Sequence, residues 1–121
     1  MTFSHIQTKG TNFEVTQKYE LLLEQKFLPL GKFLEGKTDI RCEVEFEKTG
    51  EHHSGKIFRI EVNLYVEGIL FRAEATEAQM EQSIDVVRDE LKRKLQHANE
   101  KRKSRAKRGG QLLKRMLRFG K

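Results

Sequence analysis

The sequence predicts an α+β domain with the element order β-α-β-β-β-α, in which both helices pack on one face of a four-stranded mixed sheet. Two segments alternate apolar and polar residues with period two, which is typical of strands with one buried and one solvated face. Two other segments repeat apolar residues at steps of three and four, which indicates amphipathic helices. The strands must hide their apolar side, and the two helices can cover it.

The first strand and the first helix are predicted from the N-terminal part of the chain. Residues 3–8 alternate and are expected to form a short strand, which the next four residues break. Thr11 and Asn12 are both acceptable N-caps, so a helix is expected from Glu14 to about Leu28. Pro29 lacks a backbone donor and predicts a kink or an irregular end. A right-handed crossover through this helix makes the first two strands parallel.

Three further strands follow. Residues 40–47 and 58–66 alternate strictly, and the tight-turn signal Glu67-Gly68 leads into a strand over residues 69–75. The outward positions carry charges of both signs, which we interpret as cross-strand pairing on a solvated sheet face. These positions are Glu43, Glu45, Arg59, Glu61, Arg72 and Glu74.

The second helix is predicted to begin at Thr76, because Thr76 and Gln79 fit a capping box. It should continue beyond the sheet to about Lys107 and end at Gly109-Gly110. The chain then divides into a domain, residues 1–108, and a basic amphipathic C-terminal tail, residues 109–121. The apolar stripe consists of Met80, Ile84, Val87, Leu91 and Leu95, and Ala98 continues it.

The charge is unevenly distributed along the 121 residues. The net charge is +6, but residues 88–121 hold 14 basic and 3 acidic residues, which leaves residues 1–87 with a net charge of −5. A mildly acidic body with a strongly basic end suggests a polyanionic partner. Nucleic acid is the first candidate and an anionic membrane surface is the second.

Several protein classes are excluded or disfavoured. The longest aliphatic run has three residues, so no segment can span a membrane, and the N-terminal residues show no secretory signal. The single cysteine, Cys42, excludes an intrachain disulfide and alternates onto the core side. We expect a cytoplasmic protein that is a monomer when free.

No catalytic constellation is visible in the sequence. His52-His53 could hold a metal ion with a nearby carboxylate, but no second ligand cluster supports this, and a solvated loop is the simpler interpretation. Asp85 could be a general base, although a surface or capping role explains it better. We expect a protein that is not an enzyme and that needs no metal or cofactor.

The basic residues of the second helix are the candidate RNA-binding residues. Acidic neighbours accompany the first of them, so solubility alone could explain that part. From residue 101 to residue 108, however, six of eight residues are basic and none is acidic. Counterion release would drive binding to phosphates there. The candidates are Arg88, Lys92, Arg93, Lys94, Lys101, Arg102, Lys103, Arg105, Lys107 and Arg108.

Three motifs resemble the ribosome hibernation promoting factors and the related ribosome-associated translation inhibitors. They are Gly10-Thr11-Asn12-Phe13-Glu14-Val15-Thr16, the strand Phe71-Arg72-Ala73-Glu74-Ala75, and Met80 with Ile84-Asp85 followed by Leu91-Lys92-Arg93-Lys94-Leu95. The resemblance covers about residues 3 to 105 and is closest to a short form of the family. Residues 96–100 depart from it, because they interrupt the basic run that the family usually continues.

The resemblance implies a factor that binds the small ribosomal subunit in the decoding region. It would block messenger and transfer RNA there, inhibit translation and preserve inactive ribosomes. The alternative is a generic double-stranded RNA-binding module, whose α-β-β-β-α order is contained in this one. A third interpretation, a membrane-surface adaptor, would rely on the C-terminal tail.

Overall fold

A computed structural model of the protein describes residues 6–50 and 55–119, with the backbone alone for residues 113–119. The element order is β1 (Ile6–Thr11), α1 (Gln17–Phe27), a 3₁₀ helix (Leu28–Phe33), β2 (Ile40–Lys48), β3 (Phe58–Val66), β4 (Ile69–Glu77) and α2 (Met80–Phe119). The strands lie in the order β1-β2-β3-β4, with β1 parallel to β2 and the other neighbours antiparallel. The predicted fold class is confirmed.

Strand β1 ends later than the alternation predicts. It reaches Thr11, because parallel pairing with β2 continues through Gly10 opposite Phe46 and Thr11 opposite Glu47. The Thr11 hydroxyl also donates to Glu45 Oε2 over 2.7 Å. The expected break after residue 8 is therefore wrong, while residues 3–5 of the predicted strand lie outside the described residues.

The connection from β1 to α1 is a tight turn. Asn12 adopts a positive φ of 53° and redirects the chain. Phe13 then packs with its ring centroid 5.0 Å from that of Tyr19 and 5.7 Å from that of Phe46. Gly10 lies under this turn, since a Cβ added there would meet the Phe13 carbonyl oxygen at 2.1 Å. This turn therefore requires glycine at position 10.

Helix α1 begins at Gln17, three residues later than predicted. Thr16 is its N-cap with extended backbone, so the expected caps Thr11 and Asn12 are wrong. The irregular end expected at Pro29 is confirmed as the 3₁₀ helix, in which proline occupies an initial position that needs no backbone donor. Leu23 and Phe27 of α1, with Leu30 and Leu34 after it, are buried in the core.

The hairpins follow the predicted alternation. The buried positions of β2 and β3 pair directly, as Val44 does with Val62. Glu67 and Gly68 join β3 to β4 with positive φ angles of 50° and 83°, the pattern of a type I′ turn. Strand β4 continues to Glu77, two residues beyond its predicted end, because its pairing with β3 runs to Phe58.

Helix α2 differs from its prediction at both ends. It begins at Met80, and Thr76 belongs to β4, so the capping box is wrong. The hydroxyl of the buried Ser83 donates to the Phe58 carbonyl oxygen over 2.5 Å and joins the first turn of α2 to β3. The helix also does not end at Gly109-Gly110 but continues to Phe119. The predicted stripe is confirmed, because its five members are all buried: Met80, Ile84, Val87, Leu91 and Leu95.

Candidate nucleic-acid interface

The open face of the sheet is a charged surface whose charges compensate one another. Its centre is Arg59, with a side chain that is 22% exposed. One guanidinium nitrogen lies 3.6 Å from Glu45 Oε1 and 3.4 Å from Glu47 Oε1. The other lies 2.6 Å from Glu61 Oε2 and 2.7 Å from Glu74 Oε2. Four carboxylates from three strands therefore share one cation.

A second arginine completes this network. Arg72 lies 3.2 Å from both Glu61 Oε1 and Glu74 Oε2. Hydrogen bonds from Arg59 hold the pKa of Glu61 below its usual value, and the same carboxylates raise the pKa of Arg59. The predicted cross-strand pairing is confirmed. With its basic groups already paired, this face is poorly suited to binding a polyanion.

The candidate residues on the packed part of α2 divide into two groups. Arg88 lies 3.5 Å from Asp85 Oδ1 and 3.0 Å from Asp89 Oδ1. Lys94 pairs with Glu90 at 3.2 Å and donates to the carbonyl oxygen of Arg72. These cations are compensated, as acidic neighbours in the sequence suggested. The other two residues are exposed and make no ion pair within the described part of the chain: Lys92 and Arg93.

Beyond Glu100, α2 leaves the sheet and becomes a free-standing helix, here termed the α2 extension (residues 101–119). It is about 28 Å long at the usual helical rise. Every side chain described in it, from residue 101 to residue 112, is exposed. Among residues 101–112, no cation forms an ion pair with another described residue, and Arg108 donates to Ser104 Oγ over 3.2 Å. The six cations of this part are Lys101, Arg102, Lys103, Arg105, Lys107 and Arg108.

The α2 extension meets the body at a groove of about 320 Å³, here termed the end groove. The turn between β3 and β4 forms one side and α2 the other. The apolar floor consists of Val66, Ile69, Phe71 and Ala98. The basic rim consists of Lys37, Lys101, Arg102 and Arg105, with Glu67 and Asn99 also on the lining.

The register of α2 explains why basic residues line this groove. The stripe that packs on the sheet advances by three or four residues, and the same steps after Leu95 reach Ala98, Arg102 and Arg105. The face that carries leucine and valine under the sheet thus carries arginine where the sheet ends. The structure therefore brings Lys101, Arg102 and Arg105 together, whereas Lys103 and Lys107 do not line the groove.

Lys37 is a residue of this site that the sequence did not single out. It lies between the 3₁₀ helix and β2, and its ammonium group donates to Asn99 Oδ1 over 3.0 Å. The sequence carries no local signal for it, because the contact joins residues 62 positions apart. The periodic continuation of the α2 stripe, in contrast, could have identified the two arginines.

The remaining candidates have structural surroundings. Asp85 Oδ1 is shielded from solvent and lies 3.0 Å from the Lys26 ammonium, an ion pair without hydrogen-bond geometry that links α1 to α2. Burial raises the pKa of the Cys42 thiol to about 12, so the thiol is unreactive at neutral pH. Among the side chains of residues 6–50 and 55–112, no group of three is placed to hold a metal ion. His52 and His53 lie outside these ranges.

None of the helices in the described part of the chain is long and apolar enough to cross a membrane.

Comparison with known families identifies a match over most of the chain. The sequence profile of the family described as "Sigma 54 modulation protein / S30EA ribosomal protein" matches residues 6–103. The matched region includes the sheet, both helices of the body and the first three cations of the α2 extension. Residues 104–121 follow the matched region. No curated protein matches the sequence.

Solved structures resemble this fold, and two of them illustrate the likeness. The Protein Y N-terminal domain of Thermus thermophilus shares 24% identity, with 80% of this chain and 98% of that chain covered at a TM-score of 0.64. A ribosomal subunit interface protein from Coxiella burnetii shares 18% identity, with 79% and 98% covered at a TM-score of 0.61. At these identities the likeness is one of fold.

Proposed function

The chain belongs to the Sigma 54 modulation protein / S30EA ribosomal protein family, and from this premise we propose that it is a ribosome hibernation factor. It binds the small ribosomal subunit in the decoding region, through ribosomal RNA. There it occupies the space that messenger and transfer RNA need, so it inhibits translation and preserves inactive ribosomes in the cytoplasm.

The observation that carries this proposal is the set of uncompensated cations on the α2 extension. Six exposed basic residues within eight positions have no acidic partner in the described chain. A helix that projects beyond its domain can bring such a series against several phosphates at once. Release of counterions then supplies much of the binding free energy.

The rest of the molecule favours specific binding through one surface over a general affinity for RNA. The sheet face neutralises its own cations, and the body has a net negative charge. Like-charge repulsion from RNA therefore opposes binding through any surface except the basic one. Recognition is mainly of RNA shape and charge, with the fit to one cleft as the source of specificity.

Inhibition in this mechanism is steric and requires no chemistry. The protein acts without metal or cofactor and is a monomer when free. The domain over residues 1–108 supplies the fit to the subunit. The tail over residues 109–121 adds positive charge, and its residues 109–119 continue α2.

Co-sedimentation with ribosomes tests the proposal. The purified protein is mixed with small subunits, large subunits or whole ribosomes at near-physiological salt, with an equal mass of unrelated duplex RNA as competitor. We expect retention on the small subunit and on the whole ribosome at a ratio near one to one. An excess of protein should then reduce translation of a reporter messenger in a purified system.

Two results would contradict the proposal. Release of the protein by the duplex competitor would identify a generic double-stranded RNA-binding module. Equal binding to the two subunits would show that the α2 extension binds RNA non-specifically. Binding that is insensitive to salt would contradict the role of the cations, since six phosphate contacts predict a loss of about a thousandfold in affinity between roughly 50 and 200 mM salt.

A further inference from the structure

We infer that the end groove binds one unpaired nucleotide of an RNA, with the base on the apolar floor and the flanking phosphates on the basic rim. This inference rests on the proposed function, because it takes the partner to be RNA. It goes beyond a contact of charges, since it assigns to this protein a binding site for a base.

The floor of the groove is unusually apolar for an exposed surface. Ile69 is 60% exposed although it lies on the core side of the sheet, in line with Ile40 and Val66. Phe71, two residues along the same strand, is only half-buried. α2 covers neither residue fully, because its stripe changes from leucine to alanine at Ala98. Part of an aromatic side chain and aliphatic carbons are therefore left open beside the helix.

The rim of the groove identifies the chemistry of the occupant. Four cations surround the floor, and Glu67 is the one acidic residue on the lining. Lys37 is held in place by Asn99, while Arg102 and Arg105 project from the register that packs the rest of α2. A ligand that satisfies both parts has a flat apolar surface and carries negative charge at its edge. A nucleotide has both properties.

The geometry favours an unpaired nucleotide over a base-paired one. In a duplex the base faces are stacked on one another, so a double strand could offer phosphates to the rim but nothing to the floor. A base released from its stack can contact the floor, and stacking of this kind tolerates any base. At about 320 Å³ the groove is at the lower end of the roughly 300–1,000 Å³ of small-molecule sites.

Fluorescence anisotropy with labelled RNA tests the assignment without ribosomes. The probes are hexauridylate, hexaadenylate, the same oligomers with an abasic third or fourth position, and a six-base-pair duplex. The full-length protein is compared with Ile69→Ser, which removes an exposed part of the floor. The matched control is Leu70→Ser, since Leu70 is 48% exposed, neighbours Ile69 and faces the opposite side of the sheet.

We expect the single strands to bind about tenfold more tightly than their abasic versions, the size of one base contact. Ile69→Ser should lose this difference, while duplex affinity stays unchanged. Leu70→Ser should keep it. Equal affinity for intact and abasic strands, or an equal loss in both variants, would overturn the assignment.

The outcome is separable from that of the proposed function. Ile69→Ser and the wild type are both tested for pelleting with small subunits. Discrimination against abasic strands without pelleting would support the groove and reject the ribosomal partner. Pelleting with small subunits, without discrimination against abasic strands, would support the ribosomal partner and reject the nucleotide site in the end groove.

Discussion

The open sheet face and the α2 extension both carry basic groups, but their arrangements are opposite. On the sheet, Arg59 and Arg72 lie within 4 Å of carboxylates on neighbouring strands. On the extension, Lys101 and Arg105 have no described ionic partner. A count of lysine and arginine cannot distinguish these surfaces, whereas the pairing of each cation does. Paired cations stabilise the body, and unpaired cations remain available to a partner.

Removal of three cations from the α2 extension should have the largest effect on binding. In the variant Lys101→Gln/Arg102→Gln/Arg105→Gln, affinity for the small subunit should fall about 100-fold near physiological salt, from the loss of three phosphate contacts. The free energy of unfolding should not change. The matched control removes three exposed cations of the body, by Lys9→Gln, Lys18→Gln and Lys48→Gln. An equal loss of affinity in this control would show that cations of the body and of the α2 extension contribute equally to binding.

Replacement of glycine by alanine should destabilise the body but stabilise the α2 extension. Gly10→Ala, in the body, should have the larger effect. The added methyl group would meet the Phe13 carbonyl oxygen at 2.1 Å, so the backbone must shift. We expect a loss of about 3 kcal/mol in the free energy of unfolding, at the upper end of overpacking effects. Gly50→Ala is the control, because its Cβ would meet nothing within 4 Å. Chemical denaturation measures the free energy of unfolding of both variants. An unchanged value for Gly10→Ala would refute the close approach of residue 10 to the Phe13 carbonyl oxygen.

Removal of the central cation of the sheet should destabilise the fold without weakening RNA binding. Arg59→Gln leaves four carboxylates without their shared partner, and we expect a loss of about 2 kcal/mol in the free energy of unfolding. Arg41→Gln is the control, because Arg41 is 59% exposed, pairs with Glu43, and otherwise lies over the Tyr65 ring at 4.3 Å. Its effect should stay below about 1 kcal/mol. A drop in the subunit affinity of folded Arg59→Gln would show that the sheet face binds RNA.

Acidification should weaken the same network. The pKa of Glu61 is lower in the folded protein than its ordinary value of 4.5. Its contribution to stability is therefore complete above that value and is lost as the pH falls through the lower, folded-state pKa. Urea denaturation at a series of pH values below about 4.5 should show a falling free energy of unfolding. In Glu61→Gln the free energy of unfolding should depend less on pH. An unchanged dependence would contradict the contribution of the Glu61 carboxylate to stability.

The smallest effect is expected from the glycines of the α2 extension. Gly109→Ala and Gly110→Ala each place a methyl group in open space, and alanine favours the helix by about 0.5–1 kcal/mol per residue. Circular dichroism should show more helix, while the denaturation of the body stays the same. A fall in helicity would mean that these residues do not lie in a continuous helix.

Much of the body can be predicted from the sequence, because its elements bury one face each. The alternation in β2 and β3 and the stripe from Met80 to Leu95 correspond directly to buried side chains. The element ends are less predictable, since pairing between strands overrides local signals. Thr11 and Thr76 resemble caps, but both are held in strands by their neighbours across the sheet.

The positive charge of the candidate site could be predicted from the sequence, but the shape of its groove could not. The six uncompensated cations are visible in the sequence, whereas the end groove depends on where the sheet stops relative to α2. The contact of Lys37 with Asn99 joins distant parts of the chain. The continuation of α2 through Gly109-Gly110 also contradicts the usual role of glycine as a helix end.

The burial of Cys42 has a practical consequence for the study of this protein in solution. It is the one native thiol, and its raised pKa leaves almost no thiolate to react at neutral pH. A Ser104→Cys substitution on the exposed helix would therefore be the single position that a maleimide dye or a nitroxide spin label modifies. Distances from that label to a labelled ribosome could be measured in an otherwise native chain.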